Sequence, residues 1–291
     1  MNLHAVAQNM KRISKPSASF IAKLVVVVGF IALATWACIR VSLTISNASW
    51  LRQLEADTEL RVYTLPDVRN VRDCGGWRTK DGQRIRFGRL FRSGEFNNTD
   101  AAHPERHFML SESSRAVFTD TLGIRTDIDL RGAHECVGLT GSPLGSDVAW
   151  RHIPFYPYEN IGSPAGRAAF AEIFRTLLNE KVYPAIIHCR AGRDRAGTAV
   201  LLLNAILGVQ EEDLRRDWEF TERSRRNVYF NYRLINGTFK VLAAYPGDTV
   251  NARAEAFVHS LGFSDDDISK FRKLMLETPP VNKGDANILR D

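Results

Sequence analysis

Cys189 and Arg195 stand six positions apart in His188-Cys189-Arg190-Ala191-Gly192-Arg193-Asp194-Arg195-Ala196-Gly197-Thr198. This stretch lies between the apolar runs Tyr183-Pro184-Ala185-Ile186-Ile187 and Val200-Leu201-Leu202-Leu203. The pattern predicts a strand, a tight loop and a helix. Loop amides then gather at a helix N-terminus, where backbone N–H groups and the helix dipole attract an anion. The Cys-x5-Arg spacing lets a thiolate and a guanidinium face one tetrahedral anion from opposite sides of a single turn, and Gly192 permits the tight backbone. Arg190, Arg193 and Arg195 join the amides in favouring thiolate over thiol at neutral pH. The planar fork of Arg195 can grip two phosphate oxygens. Together these groups make a nucleophile aimed at phosphorus, with donors preplaced around the equatorial oxygens, and the chemistry passes through a phosphocysteine. A lone cysteine is more often a small buried hydrophobe. The full His-Cys-x-x-Gly-x-x-Arg pattern between a strand-like and a helix-like run sets this one apart.

The loop resembles the phosphate-binding loop of the cysteine-dependent protein tyrosine and dual-specificity phosphatases. It is most similar to the bacterial tyrosine phosphatases whose loop reads His-Cys-x-Ala-Gly-Lys-Asp-Arg-Thr-Gly. Two further stretches agree with that subgroup. Asn70-Val71-Arg72-Asp73-Cys74-Gly75-Gly76, running through Asp81-Gly82 to Gly88-Arg89-Leu90-Phe91-Arg92-Ser93-Gly94, matches its entry motif, and Asp129-Leu130-Arg131 matches its Asp-Leu-Arg motif. The resemblance covers roughly residues 63 to 225. It implies an α/β phosphatase that needs no cofactor and no metal ion, acting on a phosphotyrosine protein or on a phosphorylated lipid or inositol. Carried over residue by residue, it makes Cys189 the nucleophile and Arg195 the phosphate clamp. His188, Arg190, Ala191, Gly192, Arg193 and Asp194 become the substrate-binding loop, and Asp129 the general acid with Asp127 as its structural neighbour. Glu159, 30 residues before the nucleophile, and Asp194, within the loop as in the myotubularin-like lipid phosphatases, are rivals for the acid.

Two departures bear on turnover and specificity. Ala196 stands where the family has a Thr whose hydroxyl assists the thiolate, and Thr198 is a poor stand-in. A pseudophosphatase that binds a phosphorylated partner therefore remains the alternative, whereas a rhodanese-type sulfur transferase fits neither Arg195 nor the entry motif. Arg193 replaces the family's Lys. Arg190 and Arg193 flank Ala191-Gly192 where tensin-like phosphoinositide phosphatases carry Lys, and this points to a multiply charged or lipid-borne phosphate.

The elements around the loop read as α/β: a mostly parallel central sheet flanked by helices, with the cysteine phosphatase fold, preceded by one N-terminal transmembrane helix. Gly-Gly, Asp-Gly and Phe-Gly punctuation from Val68 to Gly94 predicts hairpin-like strands. Ser111 to Leu122 reads as a capped helix ended by Gly123, Ile124 to Leu130 and Val148 to Phe155 as strands, and residues 132 to 149 as a long loop over the site. Ala168 to Leu178 has helical spacing, residues 156 to 166 read as loop, and helices are predicted over Glu211 to Arg226, Asn251 to Leu261 and from a Ser264 cap to Leu276. The domain division is a cytoplasmic tail 1–19, a transmembrane signal anchor 20–45, a stalk 46–62, the phosphatase domain 63–278 and a flexible tail 279–291.

The anchor rests on the uncharged run 24–39 between Lys23 and Arg40. That run is short of the roughly 20 residues a span needs, but Phe20 to Ile45 suffices if both cations snorkel to the interfaces. Lys11, Arg12, Lys15 and Lys23 precede it, while mixed charges follow it. The domain is therefore predicted outside the inner membrane, periplasmic or extracellular, on a single-pass anchor. A cleaved signal peptide ending at Ser46-Asn47-Ala48 would export it equally. The net charge of +6 suits an anionic substrate or a membrane surface, and no nucleic-acid motif accompanies it. Of the four cysteines, Cys74 and Cys136 are the only pair that could bridge, and two ordinary buried thiols are the favoured reading.

Overall fold

Four short, wholly or partly apolar runs lie side by side to carry the site. The computed structural model describes residues 61–97, 109–223 and 232–278, together with 17, 19, 23–29 and 31–36 towards the N-terminus. In chain order the strands are β1 (Val62–Tyr63), β2 (Val71–Asp73), β3 (Arg84–Ile85), β4 (Leu90–Ser93), β5 (Thr126–Asp129), β6 (Ala149–His152), β7 (Ala185–His188) and β8 (Leu276–Glu277). Six of them form one sheet in the order β1-β2-β4-β7-β5-β6, and β3 pairs with β8. Strands β4, β7, β5 and β6 are parallel, and β2 and β1 add an antiparallel edge. Every residue of β4, β5 and β7 is buried, as central strands covered on both faces require.

The helices are α1 (Glu112–Ala116), continued by a π-helical turn over Val117–Thr121, then α2 (Pro164–Leu177), α3 (Asp194–Ile206), α4 (Glu211–Arg223), α5 (Tyr232–Leu242), α6 (Val250–His259) and α7 (Asp265–Met275). A core of Val71, Phe91, Phe96, Phe118, Leu144 and Ile186 joins the sheet to the π-helical turn that continues α1. Helix α3 is buried from Ala196 to Ile206 and touches β7, α4 and α6. Burying each of Val200, Leu201, Leu202 and Leu203 contributes about 2 kcal/mol, which outweighs the roughly 1 kcal/mol that Gly197 costs inside a helix. That glycine is there for space. A Cβ at Gly197 would lie 2.7 Å from Arg92 Nη2 and 3.3 Å from the Trp218 ring. Phe170 and Phe174 of α2, Phe257 of α6 and Phe271 of α7 complete the packing, with ring centroids 5.1 to 6.5 Å apart.

Several boundaries differ from the sequence reading. Helix α2 begins at Pro164 rather than Ala168, because the Ser163 hydroxyl accepts from Gly166 N at 3.1 Å and Pro164 fits the first turn. The loop before it contains a 3-10 helix, Tyr158–Gly162. Helix α5 is an addition that the sequence pattern does not announce. Arg61 and Val62, placed in the stalk, belong to the domain: Arg61 O accepts from Asp73 N at 2.8 Å and Val62 pairs with Arg72. The rest of the stalk, the terminal tail 279–291 and the end of the helix read to Arg226 lie outside the described residues, as does most of the N-terminal tail.

The chain divides into two compact units, Met1–Thr58 and Glu59–Asp291. In the first unit residues 23–29 and 31–36 are helical, with Val25, Ile31 and Leu33 at least 60% exposed. No helix among the described residues is long and apolar enough to cross a membrane.

Candidate active site

The end of β7 delivers His188 and then Cys189, which is 2% exposed. The chain turns through Arg190, Ala191 and Gly192 and enters α3 at Asp194. Gly192 takes φ +66°, and a Cβ there would lie 2.5 Å from the Ser93 carbonyl, so both its backbone and its space exclude a side chain.

The loop is tied from beneath through its carbonyls. Asn70 Nδ2 donates to Gly192 O at 2.9 Å and to Ala191 O at 3.3 Å. Arg92 Nη2 donates to Gly192 O at 2.8 Å and to Arg193 O at 3.3 Å, and Glu95 N donates to Arg190 O at 3.3 Å. With the carbonyls drawn to one side, the amides of Arg190, Ala191 and Gly192 take no acceptor among the described hydrogen bonds, the arrangement of an anion nest. Arg92 is itself fixed by Asp217 of α4, Nη1 to Oδ2 at 2.7 Å, and Arg72 Nη2 donates to Asp217 O at 3.0 Å. Burial opposes ionisation of Asp217, but Arg72 and Arg92 outweigh it and hold the carboxyl below its ordinary value. The sequence displays the entry motif without assigning a role to Asn70 or Arg92, and Asp217 carries no signal there.

Arg195, in the first turn of α3, is gripped by Glu135: Nη2 donates to Oε1 at 2.9 Å and Nη1 to Oε2 at still closer range. Glu135 sits in the long loop after β5, with Oε2 also accepting from Gly132 N at 2.8 Å. Burial works against its charge, but the Arg195 contacts prevail and lower its carboxyl. The fork of Arg195 is thus held in one plane before any substrate arrives.

The carboxylate expected as acid ends β5, opposite His188. Asp129 is fully buried. Its Oδ1 accepts from Arg131 N and Nε, both at 3.0 Å, and its Oδ2 from Arg131 Nη2 at 2.8 Å and Cys136 Sγ at 3.3 Å. Burial raises its carboxyl, yet the imidazole of His188 and the Arg131 bonds outweigh that and hold it well below the usual carboxylate range. Both carboxylate oxygens are taken up by these bonds. The structure thus shows Asp129, expected as the general acid, as a buried carboxylate bound by Arg131 and Cys136. His188, expected in the substrate-binding loop, is fully buried, with Nε2 2.9 Å from Asp127 Oδ1 and 3.7 Å from Asp129 Oδ1, and its ring lies against Phe96.

Of the rivals, Glu159 is turned to α5, where its Oε2 would be 2.4 Å from a Cβ at Gly237. Asp194 stays at the loop. Its side chain is 39% exposed, Oδ1 accepts from the Tyr158 hydroxyl, and Arg193 Nε lies 3.2 Å away. Burial and then Asp194 raise the Tyr158 phenol, which keeps that donor protonated.

Arg190 is exposed, but Arg193 is not an open rim cation: its side chain is 13% exposed and its guanidinium lies 5.4 Å from the Trp218 ring centroid. Ala196 is fully buried, and Thr198 Oγ1 accepts from Tyr158 N at 3.4 Å, away from the missing Thr's task. Cys74, Cys136 and Cys189 are all free, so Cys74 and Cys136 do not bridge.

A family model described as the tyrosine phosphatase family matches residues 63–277. A Cupriavidus necator protein provisionally named a tyrosine-protein phosphatase is 30% identical over 190 residues, 56% of this chain and 63% of that protein, so the chain spans less than two thirds of its relative. Among solved structures, the core catalytic domain of the PP-IP phosphatase SIW14 from S. cerevisiae, in complex with citrate, is 12% identical. It covers 63% of this chain and 86% of its own, with a TM-score of 0.35. P. aeruginosa TpbA is 11% identical over 65% of this chain and 96% of its own, at 0.37.

Proposed function

The chain belongs to the tyrosine phosphatase family, and on that premise we propose that it hydrolyses phosphomonoesters through a phosphocysteine on Cys189. The observation that carries the reading is the loop from Cys189 to Arg195, with its carbonyls tied down by Asn70 and Arg92 and the fork of Arg195 oriented by Glu135. The thiolate attacks phosphorus, the S–P bond forms and the P–O bond to the leaving group breaks, with the equatorial charge held by loop amides and Arg195. Asp194 gives its proton to the departing oxygen, then accepts one from the water that cleaves the S–P bond and releases phosphate. Cys189→Ser is expected to abolish hydrolysis of p-nitrophenyl phosphate while retaining phosphate binding; residual activity above a few percent would sink the assignment.

For substrate we propose a singly phosphorylated aryl ester of the phosphotyrosine type. With Arg193 over Trp218 and beside Asp194, Arg190 is the exposed cation of the loop among the described residues, and the case for a polyphosphorylated ligand loses half its support. A phosphotyrosine peptide should be turned over with at least roughly tenfold higher efficiency than an inositol polyphosphate; parity between them would overturn this choice.

A location outside the cytoplasmic membrane, on an N-terminal anchor, is also proposed. The exposed apolar residues Leu24 to Val28, Ile31, Leu33 and Trp36, all helical, support it, as does the run of cations before them.

A further inference from the structure

A second concave surface lies at the opposite end of the sheet from Cys189. Arg89, Arg125 and Pro184 immediately precede β4, β5 and β7, the strands whose register pairs Leu90 and Thr126 with Ala185. The backbone keeps these three residues level: Ala185 N donates to Arg89 O at 2.9 Å, and Arg125 N donates to Pro184 O at 2.8 Å. Around them opens a cleft of about 880 Å³, into whose walls Arg175 comes from the last turn of α2, Lys181 from the turn after it and Lys270 from α7. Five cations thus meet one lining carboxylate, Glu180, which stands 4.0 Å from Arg89 with a side chain 76% exposed.

A helix C-terminus attracts cations, and α2 accounts in that way for Arg175 and Lys181. It does not account for Arg125 or Lys270, which come from other elements, nor for so few carboxylates among like charges that repel. Two of the guanidinium groups are already held in place. Arg89 lies 4.7 Å from the Tyr183 ring centroid with Nε on Leu274 O at 3.2 Å, and Arg175 lies 5.4 Å from the Phe263 centroid. Stacking leaves their edges free to donate, and a fixed planar fork loses less freedom when it meets phosphate. One phosphate group carries a charge of about −2 and would leave most of the five cations unmatched.

We infer that this cleft is a second, non-catalytic anion site for a ligand bearing two or more phosphate groups, free in solution or displayed on a lipid headgroup. The charged residues of its lining are mostly cationic, and the role inferred for it is binding. The site is independent of the reaction proposed at Cys189 and stands or falls by binding alone.

The test uses the full chain carrying Cys189→Ser and Arg195→Ala, which blanks the catalytic loop. Calorimetry with tripolyphosphate should show binding that Arg125→Gln with Arg175→Gln weakens by roughly tenfold or more. The same two substitutions in the otherwise wild-type chain should leave hydrolysis of p-nitrophenyl phosphate unchanged, which shows the fold intact. If they do not, Lys181→Gln with Lys270→Gln serves in their place. Flotation with phosphatidylcholine vesicles, with and without a phosphatidylinositol bisphosphate, distinguishes the source. A preference for the phosphorylated lipid that the cleft substitutions remove assigns a headgroup; tripolyphosphate binding without that preference assigns a free anion. Absence of both, or binding that neither pair of substitutions alters, overturns the inference.

Discussion

Asp129 and Asp194 are the same functional group in opposite settings, and replacing each by Asn separates holding a site together from running its chemistry. Asn at 129 leaves Arg131 and His188 buried beside a neutral group, so Asp129→Asn is expected to cost about 3–5 kcal/mol of stability, read as a drop in Tm. The pH dependence follows. The folded-state carboxyl of Asp129 titrates below the ordinary value of about 3.9, so its stabilisation is complete above that pH and is lost as pH falls through and below it. Asp129→Asn should flatten the acid limb of a stability curve. Asp194→Asn should leave Tm nearly unchanged but lower kcat/KM on an alkyl phosphate by about 10²–10⁴. Its effect on p-nitrophenyl phosphate, whose leaving group needs little protonation, should be much smaller. If the two variants exchange these behaviours, the acid is Asp129 after all. A third expectation comes from Ala196: with Thr198 engaged by Tyr158 N, hydrolysis of the phosphocysteine is slow, so rapid mixing with p-nitrophenyl phosphate should give a burst of nitrophenol stoichiometric with enzyme. Linear release from the first turnover would refute it. The sequence displays Asp129 and Asp194 as equals because burial depends on strand register. Asp129 is opposite His188 only once β5 lies against β7, and Arg131 then folds back on it.

At the scale of elements, the loop works because three other segments hold it. Asn70 lies just before β2, Arg92 on β4 and Asp217 on α4, and through them a helix remote in sequence fixes the carbonyls opposite the reacting amides. Asn70→Ala removes two of those contacts. A misplacement on the order of 1 Å costs about 10² in rate, so kcat should fall by about that factor while KM for a small substrate moves little. A loss confined to KM would mean that Asn70 touches substrate instead. Gly192→Ala should be more damaging, because the added methyl meets the Ser93 carbonyl in a backbone conformation at φ +66°. Much of this architecture is legible in the sequence. The strand-loop-helix unit at Cys189, the Ser111 and Ser264 caps and the β-α-β order can each be read from local pattern. What escapes depends on contacts between segments. Asn236-Gly237 lies within α5, where a glycine lets the helix close on the 3-10 turn at Tyr158 and Glu159. Glu135 lies in a stretch that reads only as loop, and nothing local announces that it reaches Arg195.

For the whole molecule, the proposed anchor decides on which side of a membrane the proposed reaction would take place. Lys11, Arg12, Lys15 and Lys23 precede the apolar run, whereas Arg52 and Arg61 after it are interleaved with Glu55, Asp57 and Glu59. An excess of Lys and Arg marks the side retained in the cytoplasm. Within the first unit the helical residues from Leu24 to Val28 expose between 51% and 65% of their surface, and so long an uninterrupted apolar face is stable only against lipid or another protein. We propose lipid as the occupant, since in the sequence the run from Phe20 to Ile45 reaches the roughly 20 residues a span requires and holds cations able to snorkel. Placed outside, the domain would be out of reach of cytoplasmic phosphoproteins and would act on phosphoesters of the envelope or the surroundings. A C-terminal fusion of alkaline phosphatase, which is active only after export, should be active, and a fusion of a fluorescent protein that matures only in the cytoplasm should be dark. Fractionation should find the fusion in the membrane and resistant to high salt, because a hydrophobic span is insensitive to screening while a basic patch on lipid headgroups is not. A bright fluorescent fusion with an inactive alkaline phosphatase fusion would place the site in the cytoplasm. Release of the protein by salt alone would reduce the apolar run to a peripheral contact.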